Sequence, residues 1–289
     1  MPLTVRKAFQ SAANHLNRID SSSATLDAEL ILRHATQKSS AALWREPQAK
    51  LNQASEQEFM QLLQRRIQGE PIAYLTGQKE FYGRMFRVSP SVLIPRPDSE
   101  ALIELTLKRI SRHSPARIAD IGTGSGCLIA TLLSERPSVR GWAVDLSGDA
   151  LSVARTNLQR FGLLNRCSLV AGDLLSPLKS EELDLIVANL PYLTPEEIHQ
   201  EESIHHEPRL ALDGGLNGLS LFSRFLRELR QRQDRPAVLL EIDPRRTRQF
   251  QELSKTILPD WLVSFSRDLS GRERLAELRY SPSTISDSV

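Results

Sequence analysis

From residue 116 onward the chain alternates short apolar runs with helical stretches, and the first run ends in Asp120-Ile121-Gly122-Thr123-Gly124-Ser125-Gly126. Runs at 117–121, 141–145, 168–171, 183–188 and 237–242 are too short for helices and rich in Val, Ile, Leu and Ala. Between them, 128–133, 149–161 and the series Leu219, Phe222, Leu226, Leu229 carry helical spacing. Strands separated by helices must run parallel, which predicts a doubly wound sheet with helices on both faces. Two further strand-like runs, 262–266 and 274–280, joined through Ser270-Gly271, suit a closing hairpin at one edge and bring the count to seven.

The glycine loop falls where the first strand turns into a helix. Ligands of doubly wound sheets bind at the carboxyl ends of strands. Glycines there allow close approach to the backbone, and the helix start offers free N–H groups. A nicotinamide fingerprint needs a glycine three residues after Gly124, and that position is Cys127. Asp145 ends the second strand, where a carboxylate can take both ribose hydroxyls of a nucleoside. Asp173 follows the third and can accept from an adenine amino group. Each acid has a plainer alternative as a helix cap in a strand–helix loop.

The fourth strand runs into Asn189-Leu190-Pro191-Tyr192. The Asn189 side-chain oxygen and a main-chain carbonyl at Leu190 or Pro191 can each accept one N–H of an NH₂ group. The Tyr192 ring can stack on the planar group that bears it. Hydride transfer has no use for such an arrangement. It is the chemistry of a planar amide or exocyclic amine nitrogen.

Upstream, Val5, Phe9, Ala12, Leu16 and Ile19 recur at steps of three and four, and Leu26, Leu30 and Ile31 suggest a second helix. Phe59, Leu62, Leu63 and Ile67 suggest another, with Ser55 as its cap and Glu58 completing a capping box, ending at Gly69. Residues 1–70 therefore read as a helical domain. Residues 71–98, with Ala73-Tyr74-Leu75-Thr76-Gly77 and a second aromatic run from Glu80, read as a β-hairpin linker, after which Asp98 or Ser99 caps a helix that opens the 99–289 domain. The serine-rich end, 281–289, reads as disordered. With 37 basic and 35 acidic residues, composition does not make the chain a polyanion binder. No apolar run reaches the roughly 18 residues of a membrane span, and no signal pattern opens the chain, which points to the cytoplasm. Cys127 and Cys167 are too few for a disulfide framework or a cysteine-based zinc site and read as small buried hydrophobes.

These motifs resemble the protein-(glutamine-N5) methyltransferases of the HemK/PrmC type. The likeness extends to Gly69-Glu70-Pro71-Ile72-Ala73-Tyr74-Leu75-Thr76-Gly77, Glu80-Phe81-Tyr82-Gly83, Leu93-Ile94-Pro95-Arg96-Pro97 and Glu207-Pro208-Arg209-Leu210-Ala211-Leu212, followed by Gly214-Gly215 and Gly218-Leu219. The resemblance implies a seven-stranded Rossmann-like methyltransferase sheet with a small N-terminal helical domain that docks the protein substrate. It implies S-adenosylmethionine as methyl donor, S-adenosylhomocysteine as product and no metal. It also implies transfer to the glutamine of the Gly-Gly-Gln motif in peptide chain release factors, by a monomer without nucleic-acid or membrane partners. Gly122, Thr123, Gly124, Ser125, Gly126, Asp145, Asp173, Leu174 and Asn189 would then hold the cofactor. Asn189, Leu190, Pro191 and Tyr192 would hold the substrate, with Asn189, Pro191 and Tyr192 as the catalytic set. The family's usual second residue in this motif is proline; Leu190 keeps the carbonyl but loses the fixed φ, which predicts a looser loop. Glu241-Ile242-Asp243-Pro244 also departs from the family's usual wording.

Asn-Leu-Pro-Tyr resembles, too, the motif of ribosomal RNA adenine dimethyltransferases, so adenine N6 in RNA is the alternative substrate. His199, His205 and His206 beside Glu201, Glu202 and Glu207 offer metal-ligand types but read as a solvated loop. Arg96 either lines the substrate side or makes an ion pair where the helix begins. Arg227, Arg230, Arg232 and Arg235 read as a solvated helix face, with RNA contact as the other reading.

Overall fold

A computed structural model describes residues 3–18, 23–268 and 271–282. Ile19, Ser270 and residues 283–289, on which three of the sequence expectations fall, lie outside the described residues. The chain divides into two compact units, Met1–Gln78 and Lys79–Val289.

The first unit is helical: α1 (Val5–Leu16), α2 (Ala24–Thr36), α3 (Ser40–Arg45), α4 (Gln53–Ile67) and α5 (Ile72–Thr76). Its core sets small residues of α1 and α2 (Ala8, Ala12, Ala24, Ala28) beside Ile31, Leu32, Phe59 and Leu63. Leu26, expected on the inner face of α2, is exposed; Ala24, Ala28, Ile31 and Leu32 form that face instead. Asn52, not Ser55, caps α4, accepting from Ser55 N at 2.8 Å. Asparagine is a strong cap and begins the helix one turn earlier, which leaves Ser55 in the first turn. Residues 72–76, expected to be extended, form α5, and the hairpin is confined to β1 (Gln78–Phe81) and β2 (Arg84–Arg87). Pro71 begins α5 with a preset φ and Gly77, at φ 67°, ends it.

In the second unit, Tyr82 and Gly83 turn the hairpin with φ of 49° and 70°, the left-handed pair of a tight two-residue turn. Phe81 and Phe86 pack beneath it, and Phe161 meets Phe86 at 5.1 Å. Next come α6 (Glu100–Arg109), β3 (Ala116–Ile121), α7 (Cys127–Glu135), β4 (Val139–Asp145), α8 (Gly148–Arg160), β5 (Cys167–Ala171) and β6 (Leu185–Asn189). They are followed by α9 (Pro195–Gln200), α10 (Ser220–Gln231), β7 (Ala237–Glu241), α11 (Thr247–Ile257), β8 (Trp261–Arg267) and β9 (Glu273–Tyr280). The seven-stranded sheet has the order β5-β4-β3-β6-β7-β9-β8. β3 through β7 pair in parallel, and β9 lies antiparallel between β7 and β8. This is the doubly wound sheet with a closing hairpin that strand–helix alternation predicts. The central strands are buried on both faces, as Ile186, Val187 and Ala188 are, which is why they read as continuous apolar runs.

The helix expected after Pro97 begins as a 3₁₀ turn, Pro97–Ser99, and neither Asp98 nor Ser99 caps it through a side chain. Asp98 pairs with Arg274 at 3.0 Å and Ser99 donates to Glu241 at 2.6 Å. Both groups have stronger partners than a helix N–H. No helix among the described residues is long and apolar enough to cross a membrane.

Candidate active site

The chain leaves β3 toward β4 and β5 on one side and returns to β6 on the other, so the order of strands reverses between β3 and β6. A crevice forms at such a point beyond the carboxyl ends of the two strands. The glycine loop leaves β3 there and Asn189-Leu190-Pro191-Tyr192 leaves β6. The loops touch: a Cβ on Gly122 would sit 3.6 Å from Leu190 Cδ2 and 3.9 Å from Asn189 O.

Gly122, Gly124 and Gly126 hold φ of 73°, 54° and 76°, values that favour glycine. Gly126 also lets α7 approach α8, since a Cβ there would reach within 3.1 Å of Ala154 Cβ. Asp145 joins the loop, accepting from Gly124 N at 2.8 Å and from Ser147 N at 2.9 Å. The cap of α8 is Ser147, accepting from Ala150 N at 3.1 Å, so the plainer reading of Asp145 does not hold. Burial raises the Asp145 carboxyl above its ordinary range, against the pull of those backbone N–H groups. Thr123 and Ser125 are buried; the Thr123 hydroxyl donates to Asp120 at 2.7 Å. Gly172, just past β5, donates to Asp145 O at 3.0 Å and brings Asp173 alongside. The Asp173 carboxylate is not a cap either; it is paired with Arg224 on α10. Leu174, buried, takes φ of 48°.

Two residues outside the expected set shape this loop. Asp120 is fully buried, accepts from Thr123 and from Ile129 N, and has Oδ1 without a hydrogen-bond partner among the described residues. Burial pushes its carboxyl up to about 7. Asn157 of α8, also buried, bonds both ways with the backbone of Arg87 at 2.7 and 2.9 Å and donates to Ser125 O at 2.8 Å. It staples the hairpin to the glycine loop. A polar residue on the apolar face of α8 was its signal in the sequence.

The loop after β6 is held from further away. Asn189 Nδ2 donates to Glu241 Oε2 at 3.0 Å and to Ser99 Oγ at 3.2 Å. Leu193 N donates to Leu212 O at 3.0 Å and Gly214 N to Leu193 O at 2.8 Å, so the Gly214-Gly215 segment runs beside it. A Cβ at Gly214 would lie 2.7 Å from Pro191 O and Tyr192 Cα, and one at Gly218 would overlap Tyr192 O. Leu190 is 2 % exposed and belongs to the core under the sheet. Apolar burial of the side chain stands where a proline would fix φ by its ring. Tyr192 is half-buried; burial, with Glu241 next in effect, pushes its phenol well above the ordinary value, so it stays protonated. Glu241 was legible only as a lone acid closing the apolar run Ala237-Val238-Leu239-Leu240.

The remaining candidates resolve structurally. Arg96 is paired with Glu207, which also accepts from Ile94 N at 3.0 Å. His205 contacts Ile198 O at 3.1 Å, and among the described residues no group of three metal-ligating side chains forms. Arg232 is buried against Asp234, Leu178 O and Glu181 O, unlike the exposed Arg227 and Arg230, because it holds the turn before β7. Burial raises the Cys127 and Cys167 thiols to about 12, so neither is a nucleophile at neutral pH.

Residues 7–77 match the family described as PrmC N-terminal domain, and residues 98–210 the methyltransferase small domain. The release factor glutamine methyltransferase of Nitratidesulfovibrio vulgaris is 37% identical over 94% of this chain and 93% of its own. The chain belongs to the release factor glutamine methyltransferase family. A second member, from Koribacter versatilis, is 39% identical over 77% of this chain and 80% of its own. The fold agrees with a methyltransferase from Pyrococcus furiosus, with a TM-score of 0.51 and 16% identity over 76% of this chain and 97% of that one. As a family member this chain is a methyltransferase. Its likeness to the family spans the helical unit, the glycine loop and the segment after α9.

Proposed function

We propose that the chain transfers a methyl group from S-adenosylmethionine to the side-chain amide N5 of the glutamine in the Gly-Gly-Gln motif of peptide chain release factors. The observation that carries the reading is the Asn189 carboxamide at the tip of β6, its Nδ2 occupied by Glu241 and Ser99 and its backbone against the glycine loop. The names of the relatives supply the substrate class.

The residues present fit the cofactor. A buried acid with one orphaned oxygen, Asp120, stands at the base of a glycine loop in which a Cβ on Gly124 would meet only Gly122 O, at 4.0 Å, and an acid, Asp145, hydrogen-bonds the same loop. Gly122 to Gly126 would hold the amino-acid end, Asp145 the ribose hydroxyls, and Asp173 with Leu174 the adenine. When bound, the sulfonium supplies an activated methyl group.

The obstacle is the nucleophile, since an amide nitrogen shares its lone pair with its carbonyl. Asn189 Oδ1 and a carbonyl at Leu190 or Pro191 accept the two N–H groups, drawing charge onto nitrogen and fixing its direction. Acceptors already in place stabilise the positive charge that develops on nitrogen without reorganising, and the fixed approach contributes several kcal/mol to the barrier reduction, on the order of what orientation gives elsewhere. Tyr192, protonated and half-buried, keeps the amide plane in register. The helical unit, residues 1–70, docks the release factor, with 71–98 joining it to the catalytic unit.

Methyl-labelled cofactor mixed with a release factor, with the same factor carrying alanine for the Gly-Gly-Gln glutamine, and with unmethylated ribosomal RNA tests the reading. Label on the first protein alone is expected. Label on RNA instead would replace this reading with the adenine one.

A further inference from the structure

Asn189 can serve as an acceptor only if its carboxamide faces one way. A carboxamide is nearly symmetric in shape, and its two orientations present opposite chemistry: oxygen outward accepts an N–H, nitrogen outward donates one. Shape does not choose between them; the neighbours do.

The neighbours are Ser99 and Glu241, 90 and 52 residues away in sequence. Ser99 has one hydroxyl proton and spends it on Glu241 Oε2 at 2.6 Å. Its oxygen is then free to accept, and takes Asn189 Nδ2 at 3.2 Å. Glu241 Oε2, 3.0 Å from Nδ2 and 2.6 Å from Ser99 Oγ, lies too close to that oxygen to take a separate proton, so the two acceptors share the Nδ2 proton that points toward them. Glu241 Oε2 already accepts from the Ser99 hydroxyl and so carries no proton of its own, and turning the carboxamide over would set Asn189 Oδ1 against it with no proton between them. Glu241 is 1% exposed and Ser99 4%, so water is in no position to relieve that repulsion. Glu241 ends β7 directly beside Asn189 at the end of β6, paired with it in the ladder, so both ends of the contact stand on rigid strands.

We propose that Glu241 and Ser99 are positioning residues that fix the polarity of Asn189, leaving its oxygen outward, and that this makes the site select a side-chain amide over a carboxylate. The proposal rests on the reading of Asn189 as the acceptor of the substrate NH₂. A glutamine offers one N–H to the outward oxygen and the other to the main-chain carbonyl. A glutamate of the same shape brings only lone pairs and a negative charge. Burying Glu241 has an energetic cost: burial pushes its proton affinity up, against the Ser99 hydrogen bond and the charges of Arg274 and Arg96, with Asp98 adding to the rise. An uncharged acceptor there would avoid the cost but would tolerate both orientations of Asn189.

The test measures cofactor affinity, kcat and KM for a release factor, and the inhibition constant of the same factor carrying glutamate at the Gly-Gly-Gln glutamine. The full-length wild type is compared with Glu241→Gln, Ser99→Ala and Asn189→Ala. Glu241→Gln keeps the shape and lets the carboxamide turn over. It should keep cofactor affinity, lower kcat on the order of 10-fold, and tighten inhibition by the glutamate factor relative to KM. Ser99→Ala should shift both in the same direction by less. Glu241→Met, which offers no acceptor, should lose more kcat than Glu241→Gln at unchanged cofactor affinity. Loss of kcat in Glu241→Gln without any change in the glutamate-to-glutamine ratio would reduce Glu241 to a structural role and overturn the proposal. Wild-type kcat and ratio in both Glu241→Gln and Ser99→Ala would overturn it too. If Asn189→Ala itself turns over normally, the acceptor reading fails first; if Asn189→Ala is inactive while Glu241 and Ser99 variants are unchanged, only the positioning fails.

Discussion

The loops that leave β3 and β6 meet at the switch point, yet they are built by different means. The loop after β3 is organised within itself and by the next strand: three glycines of positive φ, Thr123 on Asp120 three residues back, Asp145 21 residues on. The loop after β6 owes its form to distant chain: Ser99, Glu241, Leu212 and Gly214. The first leaves backbone open and a buried carboxylate oxygen unpartnered, as suits a small charged ligand. The second fixes one carboxamide and one ring, as suits a planar group to be aimed. On the proposed assignment, cofactor binding and methyl transfer are expected to separate by mutation, although the loops touch.

Of the variants that leave Asn189 in place, Gly214→Ala has the largest expected effect. Its methyl would press on Pro191 and Tyr192 backbone, which has no rotamer to give, so the loop must move. A shift near 1 Å can cost about 100-fold in rate; kcat should fall by about that much while cofactor affinity, read by calorimetry, holds. Equal loss of both would join the two loops into one unit. Asp145→Ala is the converse. It should weaken cofactor binding by roughly 10- to 100-fold, the scale of one or two charge-assisted hydrogen bonds, with kcat at saturating cofactor changed far less.

Leu190→Ala asks whether burial anchors the second loop. Removing a fully buried leucine typically costs about 2–5 kcal/mol, measurable by denaturant unfolding. Retained stability would mean that Leu190 sits there without holding anything. The smallest expected effect belongs to Asp120→Asn. With its folded carboxyl at about 7, Asp120 keeps a proton that the unfolded chain has released above roughly pH 4. Its contribution to stability is full below that value and is lost as pH rises through 7. Without cofactor, Asp120→Asn should therefore lose less stability than wild type between pH 5 and pH 8. The difference is a few degrees in Tm for a change on the order of 1 kcal/mol. Identical pH profiles would remove Asp120 from the account.

The same contrast explains what the sequence made legible. Strand–helix alternation and the glycine loop are local patterns, so the sheet, Asp145 and the closing hairpin could be read directly. Asn189 and Tyr192 could be read because they are adjacent in sequence at a strand tip. Glu241 and Ser99 could not, because nothing in Leu240-Glu241-Ile242 tells which residue lies across the ladder; that depends on β7 pairing with β6. The cap of α4 was misplaced because Asn52 and Ser55 are both good caps and the local pattern does not rank them. α11 was not read although Phe250, Ser254 and Ile257 face inward, since its apolar face is thin and its remaining residues are polar. Leu190 was read by its backbone alone, and its burial depends on α10 and the core beneath β6.

Asn189→Ala, assayed for cofactor affinity and single-turnover methyl transfer to a release factor, tests the division between the loops most directly. The account predicts near-wild-type cofactor binding with most of the transfer rate gone; transfer at the wild-type rate would contradict it.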